Sequence, residues 1–195
     1  MARPRSTSAD AIIDTAAQLF LDRGFHNTSI EDVAEAAGIS KPTVYSYVKS
    51  KQWLLDQIML RVINDLGVVV QPWQPGDVVS LTEQLDAYLD MHIRRATEQR
   101  VFYRILYSEE TEMSPNVREN WRQLAAEVTG HFVDLLQLFR DAGRIAEDVD
   151  LHAVANLYIP MLVTLHRWYQ PDGPVDPAAI RRLAKDLLGG VVALD

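Results

Sequence analysis

Lys41 directly follows Ser40, and Lys51 directly follows Ser50. Both serines stand where helices are expected to start, so each lysine sets a cation at the positive end of a helix dipole, at a cost of ~0.3–1 kcal/mol. A local rule broken at two neighbouring helix starts points to function. An anion bound there reverses the sign, because the unpaired N–H groups and the ammonium would face the same phosphate. Tyr45 and Tyr47 add hydroxyls nearby, and Thr28 offers another at the start of the preceding helix. Taken singly, each is an ordinary cap or solvated surface residue. Gathered in one motif, they make a seat for a phosphate backbone.

The elements that must position these groups are short helices with local start and stop signals. Ile12, Ile13, Ala16, Leu19 and Phe20 recur at three- and four-residue spacing over 8–23. Gly24 then supplies a left-handed stop, with Phe25 packing back on Phe20. Thr28-Ser29-Ile30-Glu31 has the form of a capping box, with the threonine hydroxyl and the glutamate carboxylate each taking an unpaired N–H of a helix over 29–36. Gly38 ends it. Ser40 caps the next short helix, with Ile39 and Val44 spaced as a hydrophobic staple. Two short helices joined by a turn of about three residues containing glycine make a helix-turn-helix.

Beyond Ser50 an apolar-rich helix runs through Leu54, Ile58, Ile63 and Leu66 to the breakers Pro72 and Pro75-Gly76. Helical patterns follow over 78–99, 101–109, 115–142, 150–170 and 177–188, the last with Asp176 as cap, Pro177 in first position and Gly189-Gly190 at its end. Strand alternation and internal repeats are absent. The expected fold class is all-α with about nine helices: a three-helix helix-turn-helix domain over 1–51 and a larger helical domain over 52–195.

Composition narrows the classes further. The 195 residues, 48% hydrophobic, can bury a substantial core, and no run of 18 or more apolar residues occurs. The N-terminus, with Arg3 and Arg5, leads into an amphipathic pattern and not a signal-peptide core, so a cytoplasmic protein without a membrane partner is expected. The absence of cysteine removes disulfides, thiolate metal sites and cysteine nucleophiles. A net charge of -8 argues against indiscriminate polyanion binding, so any nucleic-acid contact must be local. Residues 1–51 hold six Lys/Arg and six Asp/Glu, against 13 and 21 in 52–195, and 36–55 contains Lys41, Lys49 and Lys51 with no acid.

Residues 11–55, AIIDTAAQLFLDRGFHNTSIEDVAEAAGISKPTVYSYVKSKQWLL, resemble the DNA-binding domain of the TetR family of transcriptional regulators. The likeness runs through G-F-x-x-T-S-I, A-x-x-A-G-I-S, T-V-Y and S-K-x-x-L, and covers about a quarter of the chain. It implies a ligand-responsive regulator, with repression as the family default, that binds double-stranded operator DNA. It also implies phosphate contacts from Thr28, Tyr45 and Lys51, and base edges facing Lys41, Pro42, Thr43 and Ser46. Two departures stand out: Val48 where the family usually has phenylalanine, and Pro42 where many relatives have glycine or alanine. A recognition helix of about two turns reads only a few base pairs, so specific binding calls for two copies ~34–36 Å apart, hence a homodimer and a pseudo-palindromic operator.

In the family the last two long helices pair with their symmetry mates, which here are 150–170 and 177–188. Ile180, Leu183, Ala184, Leu187 and Leu188 form one broad stripe on the final helix; the alternative is that the stripe packs only within its own chain. HRWYQPDGPVDPAAI, residues 166–180, resembles a subset of TetR regulators that respond to acyl-CoA thioesters, so the effector class is apolar, aromatic or acyl-CoA. Pocket candidates are Tyr88, His92, Phe102, Tyr103, Tyr107, Trp121, Phe132, Tyr158 and Met161, each with an ordinary core role as its alternative. Pro160, inside a helical pattern, frees a carbonyl and kinks the helix.

Enzymatic motifs are missing: no His-Glu-x-x-His, no Gly-x-Ser-x-Gly, no phosphate loop, no dinucleotide glycine fingerprint. Asp148, Asp150 and His152 read as a helix start before they read as a metal site. No metal or cofactor is expected. The competing reading is a helical small-molecule-binding or interaction protein without operator binding.

Overall fold

The α-helix over Ala9–Arg23 (α1) starts where Ser8 Oγ accepts the Ala11 N–H at 3.1 Å. It stops at Gly24, whose φ of 82° favours glycine and whose N–H bonds Phe20 O at 2.9 Å. Phe25 folds back edge-on against Phe20, 5.2 Å between ring centres, as the stop signal requires. The computed structural model describes residues 8–69 and 80–194. Arg3, Arg5, the breakers Pro72, Pro75 and Gly76, and the expected helix start at 78 lie outside the described residues.

Next come α2 (Ile30–Ala37), α3 (Lys41–Tyr47) and α4 (Lys51–Val69). One expectation is corrected here. The cap of α2 is Ser29, not Thr28, and its box partner is Asp32, not Glu31: Ser29 Oγ accepts the Asp32 N–H at 3.1 Å while Asp32 Oδ2 accepts the Ser29 N–H at 2.7 Å. The frame shifts by one residue because the Thr28 hydroxyl turns inward, where it donates to Gly24 O at 3.0 Å. Ser40 and Ser50 cap as expected, accepting the N–H groups of Thr43 at 3.2 Å and Trp53 at 3.0 Å.

The later helices are α5 (Leu81–Glu98), α6 (Arg100–Ser108), a 3-10 turn at Glu110–Glu112, α7 (Pro115–Asp141), α8 (Leu151–Val163), α9 (Leu165–Trp168) and α10 (Pro177–Leu188). No strand occurs among the described residues, and the fold is all-α. The single helix expected over 150–170 is two segments. The break falls at Thr164, where the Arg167 N–H bonds Thr164 O three residues back, and Thr164 Oγ1 donates to Pro160 O at 2.7 Å. Such back-bonding bends helices, so proline and threonine together do what Pro160 was expected to do alone.

The helices collect into two compact units, one formed by 1–65 with 101–121, the other by 66–100 with 122–195. The division anticipated between residues 51 and 52 falls inside the first unit, at the start of α4. In that unit Ile12, Ala16, Val33, Val44, Leu54, Leu55, Ile58 and Val62 are at most 1% exposed. Val48 is also buried. In the second unit Leu85, Leu89, Phe132, Leu136, Phe139, Ala155 and Val192 centre one apolar cluster.

Candidate functional site

The recognition helix candidate, α3, is held by two buried anchors and leaves its other side chains outside. Val44 and Val48 are buried, whereas Lys41, Pro42, Tyr45, Ser46 and Tyr47 are exposed, the two tyrosines by 50% and 42%. Thr43 is half-buried, with its hydroxyl 2.7 Å from Ser40 Oγ, and Ser46 Oγ donates to Thr43 O at 2.6 Å. These two hydroxyls are thus tied into the helix itself, while both tyrosine side chains are exposed.

Lys41 is not the unaccompanied cation its position suggested. Its ammonium pairs with Glu31 of α2 and lies 5.9 Å from the Tyr45 ring centre. The bond to Lys41 holds the Glu31 carboxyl below its ordinary range, and in return Glu31 raises the lysine. Both partners are exposed, and water and salt weaken such a pair, so a phosphate can compete for the ammonium. Lys51 is half-buried: Nζ donates to Phe25 O at 2.9 Å and His26 O at 3.4 Å and sits 4.4 Å over the Phe25 ring. An ammonium has three donors, so this anchoring of the α1–α2 turn leaves a third. Thr28 is 2% exposed and its proton is committed inside the turn. The structure thus brings Lys41, Pro42, Tyr45, Ser46 and Tyr47 to the surface and keeps Thr28 inside.

Sequence reasoning missed two ties within the same unit. His26 lies 3.4 Å from Glu112, and Gln52 of α4 donates to Glu112 O at 2.8 Å, so the turn before α2 and the start of α4 both meet the 3-10 segment. Partners separated by 60 residues have no local spacing signal.

The pocket candidates divide between the units. In the second unit Tyr88 and His92 of α5, four residues apart, have ring centres 4.5 Å apart. Tyr88 stacks on Phe132 of α7 at 4.7 Å and 9°, and Phe132 stacks on Tyr158 of α8 at 5.5 Å and 22°. Burial pushes His92 down to about 4 and raises the tyrosine hydroxyls, Tyr88 foremost. In the first unit Phe102 is half-buried, Tyr103 is 2% exposed, and Tyr107 meets Trp121 edge-on at 5.8 Å. Burial first, and Glu110 second, push Tyr107 up to about 12.

Met161 is placed elsewhere than the ring stack. It is 38% exposed and lines an open apolar groove of about 380 Å3 with Leu165, Trp168, Leu183 and Leu187. The stripe on α10 is divided: Ile180, Ala184 and Leu188 pack within the unit, whereas Leu183 and Leu187 stand outside, 60% and 56% exposed.

A helix-turn-helix with an exposed, cationic and hydroxyl-bearing second helix now has its counterpart among known proteins. Residues 12–58 match the family described as "Bacterial regulatory proteins, tetR family", and residues 79–192 match "Tetracyclin repressor-like, C-terminal domain". The chain belongs to the TetR family. It is 25% identical over 185 residues to the HTH-type transcriptional repressor KstR2 of Mycolicibacterium smegmatis, covering 93% of this chain and 89% of that protein. It is 24% identical over 173 residues to the HTH-type transcriptional activator FasR of the same species, covering 89% and 77%. The crystal structure of the TetR family regulator PfmR from Thermus thermophilus superposes with a TM-score of 0.77 at 26% identity, covering 91% of this chain and 96% of that one. This TetR-family transcriptional regulator has no helix, among the described residues, long and apolar enough to cross a membrane, and Asp150 serves as the cap of α8, accepting from the His152 and Ala153 N–H groups.

Proposed function

We propose that this chain is a ligand-responsive, cytoplasmic repressor that binds a pseudo-palindromic operator as a homodimer and leaves it when a small apolar, aromatic or acyl-CoA effector binds the second unit. The observation that carries the reading is the surface of α3: Lys41, Pro42, Tyr45, Ser46 and Tyr47 exposed together while Val44 and Val48 fix the helix from behind. Lys51, Tyr45 and Tyr47 contact phosphates, and Lys41, Pro42, Thr43 and Ser46 meet base edges. Thr28 acts indirectly, by shaping the turn that Lys51 grips.

Pairing of two copies is supported by the apolar side chains left outside on α8, α9 and α10: Leu157, Met161, Trp168, Leu183 and Leu187. The effector reading is supported by the aromatic stack Tyr88, Phe132, Tyr158 with His92 beside it. Phe102, Tyr103, Tyr107 and Trp121 are core supports of the first unit in this reading, and Met161 belongs to the pairing face. Acyl-CoA stays in the effector class through the Trp168-Tyr169-Gln170-Pro171 stretch. An effector switches the protein only through different affinity for two states of the dimer; a coupling of ~1–3 kcal/mol changes operator affinity roughly five- to 150-fold.

The test is selection of binding sites from random duplex DNA, followed by fluorescence anisotropy. A two-fold symmetric site is expected, with affinity lost in the Thr43→Ala/Tyr45→Ala and Lys51→Ala variants. Recovery of no site by folded wild-type protein refutes operator binding and favours a helical ligand-binding protein. Unchanged affinity in the variants refutes the residue assignment.

A further inference from the structure

Among the described residues of the second unit, several buried side-chain polar atoms lack a hydrogen-bond partner, and two of them lie together on one face of α5. Tyr88 Oη and His92 Nε2 are both shielded from solvent, and neither has a hydrogen-bond partner among the described residues. His92 as a whole is 3% exposed. Native interiors pair nearly all such groups, because an unpaired buried donor or acceptor has lost water and gained nothing. The neighbouring hydroxyl shows that the same region can satisfy a tyrosine: Tyr158 Oη donates to Ala184 O at 2.6 Å. Spacing adds a second argument. Residues four apart on a helix share a face, so α5 holds the two unpaired atoms on rings only 4.5 Å apart at their centres.

We infer that Tyr88 and His92 together read an uncharged oxygen, a carbonyl or a hydroxyl, on an effector whose body is apolar and aromatic. This rests on the reading of the second unit as the effector-binding domain. Burial holds the imidazole neutral near neutral pH and the phenol protonated, so neither group offers charge to a carboxylate or a phosphate. A neutral imidazole nitrogen is either a donor or an acceptor, and a phenol is both. The pair can therefore offer two donors to a carbonyl, or one donor and one acceptor to a hydroxyl. Tyr88, Phe132 and Tyr158 stack on one another and so form an aromatic wall beside the pair, which favours an aromatic body, since ring edges and faces attract one another. The oxygen sets specificity more than affinity. An effector lacking it leaves both atoms unpaired, as they are without ligand.

Four probes of similar size separate these terms: benzophenone, benzhydrol, diphenylmethane and diphenylacetate, titrated into the full chain by calorimetry. The ketone and the alcohol are expected to bind roughly tenfold tighter than the hydrocarbon and the carboxylate. Tyr88→Phe and His92→Leu should each reduce that preference while leaving diphenylmethane unchanged. Diphenylmethane binding as tightly as benzophenone overturns the inference, as does a preference surviving both substitutions or a panel that fails to bind at the solubility limit. A second measurement needs no ligand. Tyr88→Phe should melt at or above the wild-type temperature, and a marked fall in Tm would overturn the inference by showing that Oη is bonded within the fold. Operator binding by the ligand-free protein tests the regulator reading separately, so a featureless probe panel with intact operator binding sinks only this inference.

Discussion

Leu183→Ser combined with Leu187→Ser should split the proposed dimer without unfolding the chain. Complete burial of a leucine side chain stabilises by about 1.5–3 kcal/mol relative to leaving it exposed. Leu183 and Leu187 retain 60% and 56% of their exposure in the single chain, so pairing can still remove a little over half of each. That gives roughly 0.8–1.8 kcal/mol per leucine. In a two-fold interface every substitution acts twice, so the double variant forfeits about 3–7 kcal/mol of association, or two to five decades in dimer Kd. Sedimentation equilibrium over a wide concentration range reads this directly. Because both side chains lie outside the monomer's core, helix content by circular dichroism should not change, whereas operator affinity should collapse with the dimer. A Kd within threefold of wild type would refute the claim that this face joins two copies.

Three further outcomes follow from individual contacts. Glu31→Gln releases Lys41 from its carboxylate partner and adds one net positive charge beside α3, so operator affinity should rise at low salt and its logarithmic salt slope should steepen by about one; a fall in affinity would mean that Glu31 positions the lysine. Ser29→Ala removes the α2 cap and should cost about 0.5–2 kcal/mol in urea denaturation, whereas Glu31→Gln, which spares the box, should not. The proton balance of His92 makes stability depend on pH. Its folded value of about 4 lies below the ordinary 6.5, so the unfolded chain binds the extra proton, and stability is constant in this respect above 6.5 and falls as pH drops towards 4. The full loss is about 3 kcal/mol, and His92→Leu should flatten that window in denaturation measured from pH 7 to pH 4.

What was legible in the chain and what was not divide along sequence distance. Ser8, Ser40, Ser50, Asp150 and Asp176 all cap where a hydroxyl or carboxylate stands two or three residues before the N–H it serves. Those bonds are written in adjacent residues. The one slip, Thr28 for Ser29, arose because T-S-I-E-D satisfies the box in two frames. The choice between them was made by Gly24, whose carbonyl took the Thr28 hydroxyl. The Lys41–Glu31 pair and the grip of Lys51 on Phe25 O, 26 residues away, depend on how α2, α3 and α4 cross and carry no periodic trace. The aromatic candidates show the same limit. Spacing on α5 placed Tyr88 and His92 on one face correctly, but helix periodicity says which residues share a face and not which unit that face joins, so Tyr107 and Trp121 were grouped with residues of the other unit. The exposed half of the α10 stripe was the most informative ambiguity. Five apolar positions at helical spacing fit either a core or a pairing face, and only the burial of Ile180, Ala184 and Leu188 beside the exposure of Leu183 and Leu187 separates the two demands on one helix. A helix that already buries its core side and still presents two leucines to water has surface that a single chain leaves unspent, which is why oligomeric state is the measurement on which the pairing of two copies turns.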